Sequence, residues 1–120
     1  METKTRVLIT GATSGLGREI AVQLGRRGWR VAVTGRREDQ LQSCAGAVSA
    51  AGGECLPLLG SVTDKALVKE HYAAIRERWD GLDWAILNAG VSNSMPAAEF
   101  SAENYEWTFA TNVFGAANWI

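Results

Sequence analysis

Three glycines, Gly11, Gly15 and Gly17, are spaced G-x-x-x-G-x-G in the stretch TGATSGLG, directly after the apolar residues 7–9. Each glycine inside a helix costs about 1 kcal/mol relative to alanine, so the spacing points to a task that a Cβ atom would obstruct. In a strand-loop-helix unit the loop brings backbone N–H groups and the positive end of the helix dipole to one point, the equivalent of about half an elementary charge. A pyrophosphate is the natural guest. Gly11 would permit the sharp exit from the strand, Gly15 the close approach of a cofactor, and Gly17 the packing of helix on strand. Thr13 and Ser14 offer hydroxyls to a ribose or phosphate, and Leu16 belongs to the same candidate binding loop. A tight turn alone also demands glycine, and the order is not G-x-G-x-x-G, so the loop must be judged with the elements around it.

Those elements alternate. Strand-length apolar runs fall at residues 7–10, 31–34, 55–59 and 82–87, each followed by glycine or a polar residue. Between them lie helical spacings: Leu16, Ile20 and Leu24 on one face, Leu41 and Val48 with alanines between, then Ala66, Leu67, Tyr72, Ile75 and Trp79. Gly28 and the pair Gly52 and Gly53 stand where left-handed helix caps are needed. Strand and helix in this rhythm, with strands apolar on both faces, predict an α/β fold: a Rossmann-like, doubly wound parallel sheet with helices on both sides. A final helix is expected from about Ser101, still running at Ile120.

The chain has 120 residues, enough for one domain with a real core. A formal charge of −1 argues against a nucleic-acid partner. The polar N-terminus and the lack of a long apolar run argue against a membrane and for the cytoplasm. Cys44 and Cys55 lack C-x-x-C spacing and read as free, partly buried thiols, with no metal site expected.

Four motifs in order, TGATSGLG after the first strand, SVTD after the third, LNAG after the fourth and TNVFG in the next helix, make the chain similar to the short-chain dehydrogenase/reductase family in its single-domain form. The resemblance covers essentially the whole chain and implies a NAD(P)-binding Rossmann-like domain over residues 1–120 with sheet order 3-2-1-4. It implies an adenine contact after the third strand, where Ser61 and Val62 stand; Ser61 replaces the usual Asp, and Asp64 reads as a helix N-cap. It places Asn88, Ala89 and Gly90 against the cofactor's ribose, with Asn88 serving as strand tie, cofactor contact or both. It gives Asn112 catalytic support, holding the water of a proton relay.

At the end of the second strand, where an acid would bind the ribose 2′-OH, the sequence VAVTGRRED has Gly35 followed by Arg36 and Arg37. An Arg–phosphate contact contributes about 1.5–3 kcal/mol, so NADP is the expected cofactor, with NAD second. The alternative is that Glu38 and Asp39 neutralise the two arginines on a solvated face.

The family's hydride transfer uses a Ser and a Tyr-x-x-x-Lys beyond the position of Asn112. Neither tyrosine here fits: Tyr72 is followed four residues later by Arg76, and Tyr105 by Phe109. His71, on a charged helix, reads as solvated, and Trp29, Trp79, Trp84, Trp107 and Trp119 as core or hidden interface. The expectation is the N-terminal, cofactor-binding part of an oxidoreductase, inactive alone and truncated within the helix carrying Asn112. A carbonyl or alcohol substrate would be bound only with a C-terminal half. A non-catalytic dinucleotide-binding or interaction protein is the alternative. The fourth strand would lack a partner on its far side, and with the apolar final helix it predicts self-association.

Overall fold

A computed structural model describes residues 4–13, 15–90, 103, 106 and 109–120. The loop after Gly90 and the roles expected of Ser14, Tyr105 and Trp107 lie outside the described residues. Four strands, β1 (Arg6–Ile9), β2 (Arg30–Gly35), β3 (Glu54–Leu59) and β4 (Trp84–Ile86), form one parallel sheet in the order β3-β2-β1-β4. Three helices make the crossovers: α1 (Gly15–Arg26), α2 (Glu38–Ala50) and α3 (Lys65–Trp79). A π-helical segment (Ala110–Gly115) continues into α4 (Ala116–Asn118); it replaces the uninterrupted helix expected there.

The order follows from the handedness of parallel crossovers. Stepping β1 to β2 to β3 in one direction puts α1 and α2 on one face, and the return to β4 puts α3 on the other. Side chains alternate accordingly. Val7, Ile9, Val31 and Val33 bury completely beside Ala21, Leu41, Cys44 and Val48, while Leu8 and Ala32 face the second cluster with Leu58, Ile75 and Trp79. Full burial of each valine or leucine contributes about 1.5–3 kcal/mol, which makes β1 and β2 the spine of the molecule.

Two helices bury faces other than those read from the sequence. α1 turns Gly17, Ala21 and Gly25 inward; Ile20 and Leu24 flank the core, and Leu16 is 69% exposed. Small residues let the helix axis approach the sheet more closely than leucines would. α3 buries Val68, His71, Ile75 and Trp79, leaving Ala66 and Tyr72 exposed. His71, expected in solvent, is 7% exposed, because Trp119 from the end of the chain covers it.

Trp84 on β4 is 62% exposed, so it is not core, and β4 is shorter than residues 82–87. Before β4 the Asp83 N–H still donates to the Arg6 carbonyl of β1 at 2.9 Å, whereas after it the Asn88 N–H turns back to Ile86 at 3.1 Å. At the opposite edge, the N–H groups of Glu54 and Gly60 donate inward to Trp29 and Gly35. Even-numbered positions of β3 therefore face β2, and Pro57, which has no N–H, falls on the outward side.

Charged pairs fasten the N-terminal ends of the strands. Arg6 donates to Asp83 from its backbone N–H (2.8 Å), Nε (3.2 Å) and Nη2 (3.0 Å), and from Nη1 to the Trp79 carbonyl (2.9 Å). Glu54 takes Arg30 at 3.1 Å and Arg78 at 3.7 Å. The Arg6 hydrogen bonds hold the Asp83 carboxyl below its usual range.

Candidate functional site

At the other end of the sheet, β1 is followed by Thr10-Gly11 and β2 ends on Thr34-Gly35, and the hydroxyls tie the loops together. Thr34 Oγ1 accepts from the Gly11 N–H at 3.3 Å, and Thr10 Oγ1 accepts from the Ala89 N–H at 3.1 Å. Asn88 Nδ2 donates to the Gly11 carbonyl at 3.2 Å. Asn88 is thus a tie between the β4 end and the glycine loop.

The three glycines of the loop divide by what surrounds them. Gly11 has φ +67°, and a Cβ there would lie 2.7 Å from the Ala89 Cα. A Cβ on Gly17 would lie 2.5 Å from both Asn88 Nδ2 and the Gly11 carbonyl oxygen. Both positions are closed by the chain's own packing. Gly15, at φ +59°, fronts open space, with nothing within 4 Å of its Cβ position.

A cleft of about 250 Å³ opens where the strand order reverses between β1 and β4, the place where doubly wound sheets bind ligands. It is lined by Gly11, Thr13, Thr34, Gly35, Arg36, Gly60, Ser61, Val62, Asn88, Ala89, Gly90 and Thr111. Eight candidates from the sequence meet there: Gly11, Thr13, Arg36, Ser61, Val62, Asn88, Ala89 and Gly90. Gly15 opens on an adjoining crevice between α1 and α2 with Thr13, Arg18, Asp39, Gln40 and Ser43. Leu16 and Gly17 do not line the cleft. Arg37 does not either; it is exposed at the N-cap of α2, with no side-chain capping bond. Asn112 sits behind the Gly90 wall, its Oδ1 3.4 Å from the Cβ position of Gly90.

Thr34, Gly60 and Thr111 escaped the sequence reading. The repeat of Thr-Gly at the ends of VLITG and VAVTG was the available signal for Thr34.

Arg36 is the cleft's one charged side chain among the described residues. Among those residues it makes no ion pair; Glu38 and Asp39 extend into the first turn of α2 without bridging to it. Ser61 Oγ is 2.7 Å from Thr63 Oγ1 and accepts from the Thr63 N–H at 3.1 Å, which fixes it in a turn. Asp64 caps α3 as expected, accepting from the Leu67 N–H at 3.1 Å.

The cysteines lie away from the cleft. Cys44 is buried and burial pushes its thiol up; Cys55 is pushed up to about 12. Thiols so protonated are poor nucleophiles and poor metal ligands. Among the described residues no group of His, Cys, Asp and Glu is placed to hold a metal, and no helix is long and apolar enough to cross a membrane.

This arrangement of loop, cleft and reversed strand order is shared. The chain is 41% identical over 110 residues to an uncharacterized oxidoreductase of Myxococcus xanthus (strain DK1622), covering 92% of this chain and 44% of that one. It is 34% identical over 108 residues to a gluconate 5-dehydrogenase of Gluconobacter oxydans (strain 621H), covering 90% of this chain and 42% of the relative. The crystal structure of a short-chain type dehydrogenase/reductase from Mycobacterium marinum superposes with a TM-score of 0.91 at 30% identity, over 98% of this chain and 48% of that one. The chain therefore spans less than half the length of these relatives. The family model for short chain dehydrogenase matches residues 5–120. With that match running through all four strands and the cleft they form, the chain belongs to the short-chain dehydrogenase family, whose members bind NAD(P) and small-molecule substrates.

Proposed function

We propose that this chain is the cofactor-binding part of an NADP-preferring short-chain oxidoreductase of the cytoplasm, folded as one domain over residues 1–120. The observation that carries the cofactor choice is Arg36, the one cation among the described residues that line the cleft, at the end of β2, where Gly35 leaves no carboxylate to repel a 2′-phosphate. Open space at Gly15 fits the close approach of a pyrophosphate, and the N-terminus of α1 adds positive potential there. Gly11 and Gly17 keep the loop tight enough to present those N–H groups. Thr13, Ser14 and Leu16 complete the loop, and Arg37 adds a second cation outside the cleft. Ser61 and Val62 face the adenine end; Asn88, Ala89 and Gly90 form the wall for the ribose.

When bound, the cofactor supplies hydride chemistry toward a carbonyl or alcohol. Asn112, beyond Gly90, holds the water of a proton relay. The 120 residues contain no Tyr-x-x-x-Lys, so they bind cofactor without moving the substrate's proton, forfeiting on the order of 10²–10⁴ in rate. The outer edge of β4, with Trp84, and the exposed Phe109, Val113 and Phe114 favour self-association.

Calorimetry with NADP(H) and NAD(H) tests this. The wild type should favour NADP(H) by about ten-fold, the equivalent of ~1.4 kcal/mol, and Arg36→Ala should bring the two affinities together. Equal wild-type affinities, or a ratio untouched by the substitution, refute the preference. Light scattering on the same sample reads self-association, and NADPH oxidation with a carbonyl panel reads turnover; a monodisperse, active monomer would overturn both of those proposals.

A further inference from the structure

One wall of the cleft, residues 60–62, is held from behind by two side chains that the cofactor would not touch. His71 Nε2 lies 3.1 Å from the Leu59 carbonyl. A carbonyl only accepts, so Nε2 carries the proton and Nδ1 is bare in the neutral ring. The imidazole stacks on Trp119, with ring centroids 6.4 Å apart and planes 27° from parallel. At the far end of the same loop, Asn118 Nδ2 donates to the Val62 carbonyl at 2.9 Å. Gly60 lies so close to α3 that a Cβ would overlap the Leu67 side chain and come within 3.5 Å of His71 Cε1. Gly115 rests on Val62 with equally little room. Ser61 spends its hydroxyl on Thr63, so the loop's position is set from outside it.

We propose that His71 is a positioning residue which, with Asn118, clamps residues 60–62 as the adenine-side wall of the cleft, and that protonating the imidazole loosens this clamp; the functional part rests on the cleft's being a dinucleotide site. Burial lowers the His71 pKa below its ordinary 6.5, outweighing the Leu59 carbonyl, Glu70 and Asp64, which act in the opposite sense. The other elements packed on the ring, the end of β3 and α4 with its following turn, face it with the Leu59 carbonyl and Trp119, neither of which titrates. Among the described residues no protein group accepts from Nδ1, so a second proton there gains only water in return for the charge placed beside Trp119. The stacking distance is at the limit of about 6 Å at which an aromatic face repays a cation.

The direction follows from linkage. Well above pH 6.5 the ring is neutral whether the clamp is closed or open. As pH falls below 6.5 toward the lower folded value, the open form takes up the proton first and the closed form loses ground; below the folded value the loss levels off.

Amide hydrogen exchange on the whole chain, corrected for the intrinsic effect of pH, reads the clamp without any ligand. The reporters are Gly60 N–H, bonded to the Gly35 carbonyl, and Asp64 N–H, bonded to the Ser61 carbonyl. Wild type should lose protection at both between about pH 7.5 and 5.5, the window around the histidine pKa. His71→Gln, which keeps a donor for Leu59 but cannot titrate, should retain it at both values. His71→Leu should lose about five-fold at both, the size of one net hydrogen bond; if it fails to fold, the glutamine variant decides alone. Identical pH profiles for wild type and His71→Gln would overturn the proposal. NADPH affinity, taken as the ratio of wild type to His71→Gln so that the cofactor's own phosphate cancels, should fall over the same window. A flat ratio with NADPH bound overturns the functional part. Titrating protection in a chain that binds neither NADPH nor NADH upholds the clamp and instead removes the dinucleotide assignment.

Discussion

The two ends of the sheet are built from opposite materials. At the N-terminal end the strands begin with Arg6, Arg30 and Glu54, adjacent in register, and two ion-paired groups stand there, Arg6 with Asp83 and Glu54 with Arg30 and Arg78. At the C-terminal end both strands of the spine lead into Thr-Gly, the loops bond through hydroxyls and one amide, and among the described residues the cleft holds a single cation. Charge pairing at the N-terminal end favours the register of β1 with the start of β4 and of β2 with β3, because sliding either pair by one residue separates the partners. Glycine and hydroxyl at the other end keep backbone exposed and unoccupied by side chains, which a large polyanionic ligand needs. The charged pairs lie about one strand length from the cleft, so a change there leaves the cleft's loops in place.

The comparison can be broken most severely at the glycines. Gly11→Ala should cost about 1–3 kcal/mol from overpacking against Ala89, plus roughly 1–2 kcal/mol for a side chain at positive φ, and denaturant unfolding would register it. Gly15→Ala incurs only the second cost, since no atom stands near its Cβ position. It should nevertheless lower NADPH affinity by about ten-fold or more, ~1.4 kcal/mol, as measured by calorimetry. If Gly15→Ala destabilised the fold as much as Gly11→Ala while binding normally, the open space at Gly15 would have no functional meaning.

The smallest effect belongs to the charged end. Asp83→Asn should lower Tm slightly, less so at high salt, and leave cofactor affinity unchanged. The Asp83 carboxyl is depressed below 3.8 by Arg6, so its contribution is complete above that pH and is lost as pH falls through the lower folded value. An Asp83→Asn protein with altered cofactor affinity would show that the two ends are coupled after all.

Most of this division was legible. Apolar runs of strand length closed by Thr-Gly, Leu-Gly and Asn-Ala-Gly pointed to the parallel sheet, while its order and most of the eight cleft residues followed from the resemblance carried by the four motifs. What escaped depends on partners distant in sequence. His71 reads as a solvated residue beside Glu70 and Tyr72, and only Leu59 and Trp119, 12 and 48 positions away, turn it into the core. Leu16 looks like the first contact of an amphipathic helix, yet α1 approaches the sheet on its smallest residues, and hydrophobic periodicity weighs a leucine above a glycine. The π-helical turn at Ala110–Gly115 leaves no mark in composition.

Pro57 limits how the sheet can be extended. With its ring on the outward side of β3, that edge cannot complete a hydrogen-bonded ladder with an arriving strand. The edge of β4 has no proline, and it exposes Trp84. Among the described strands, β3 is thus the edge closed to strand addition. Head-to-tail addition, which needs a receptive edge on both sides of the sheet, therefore finds none at β3.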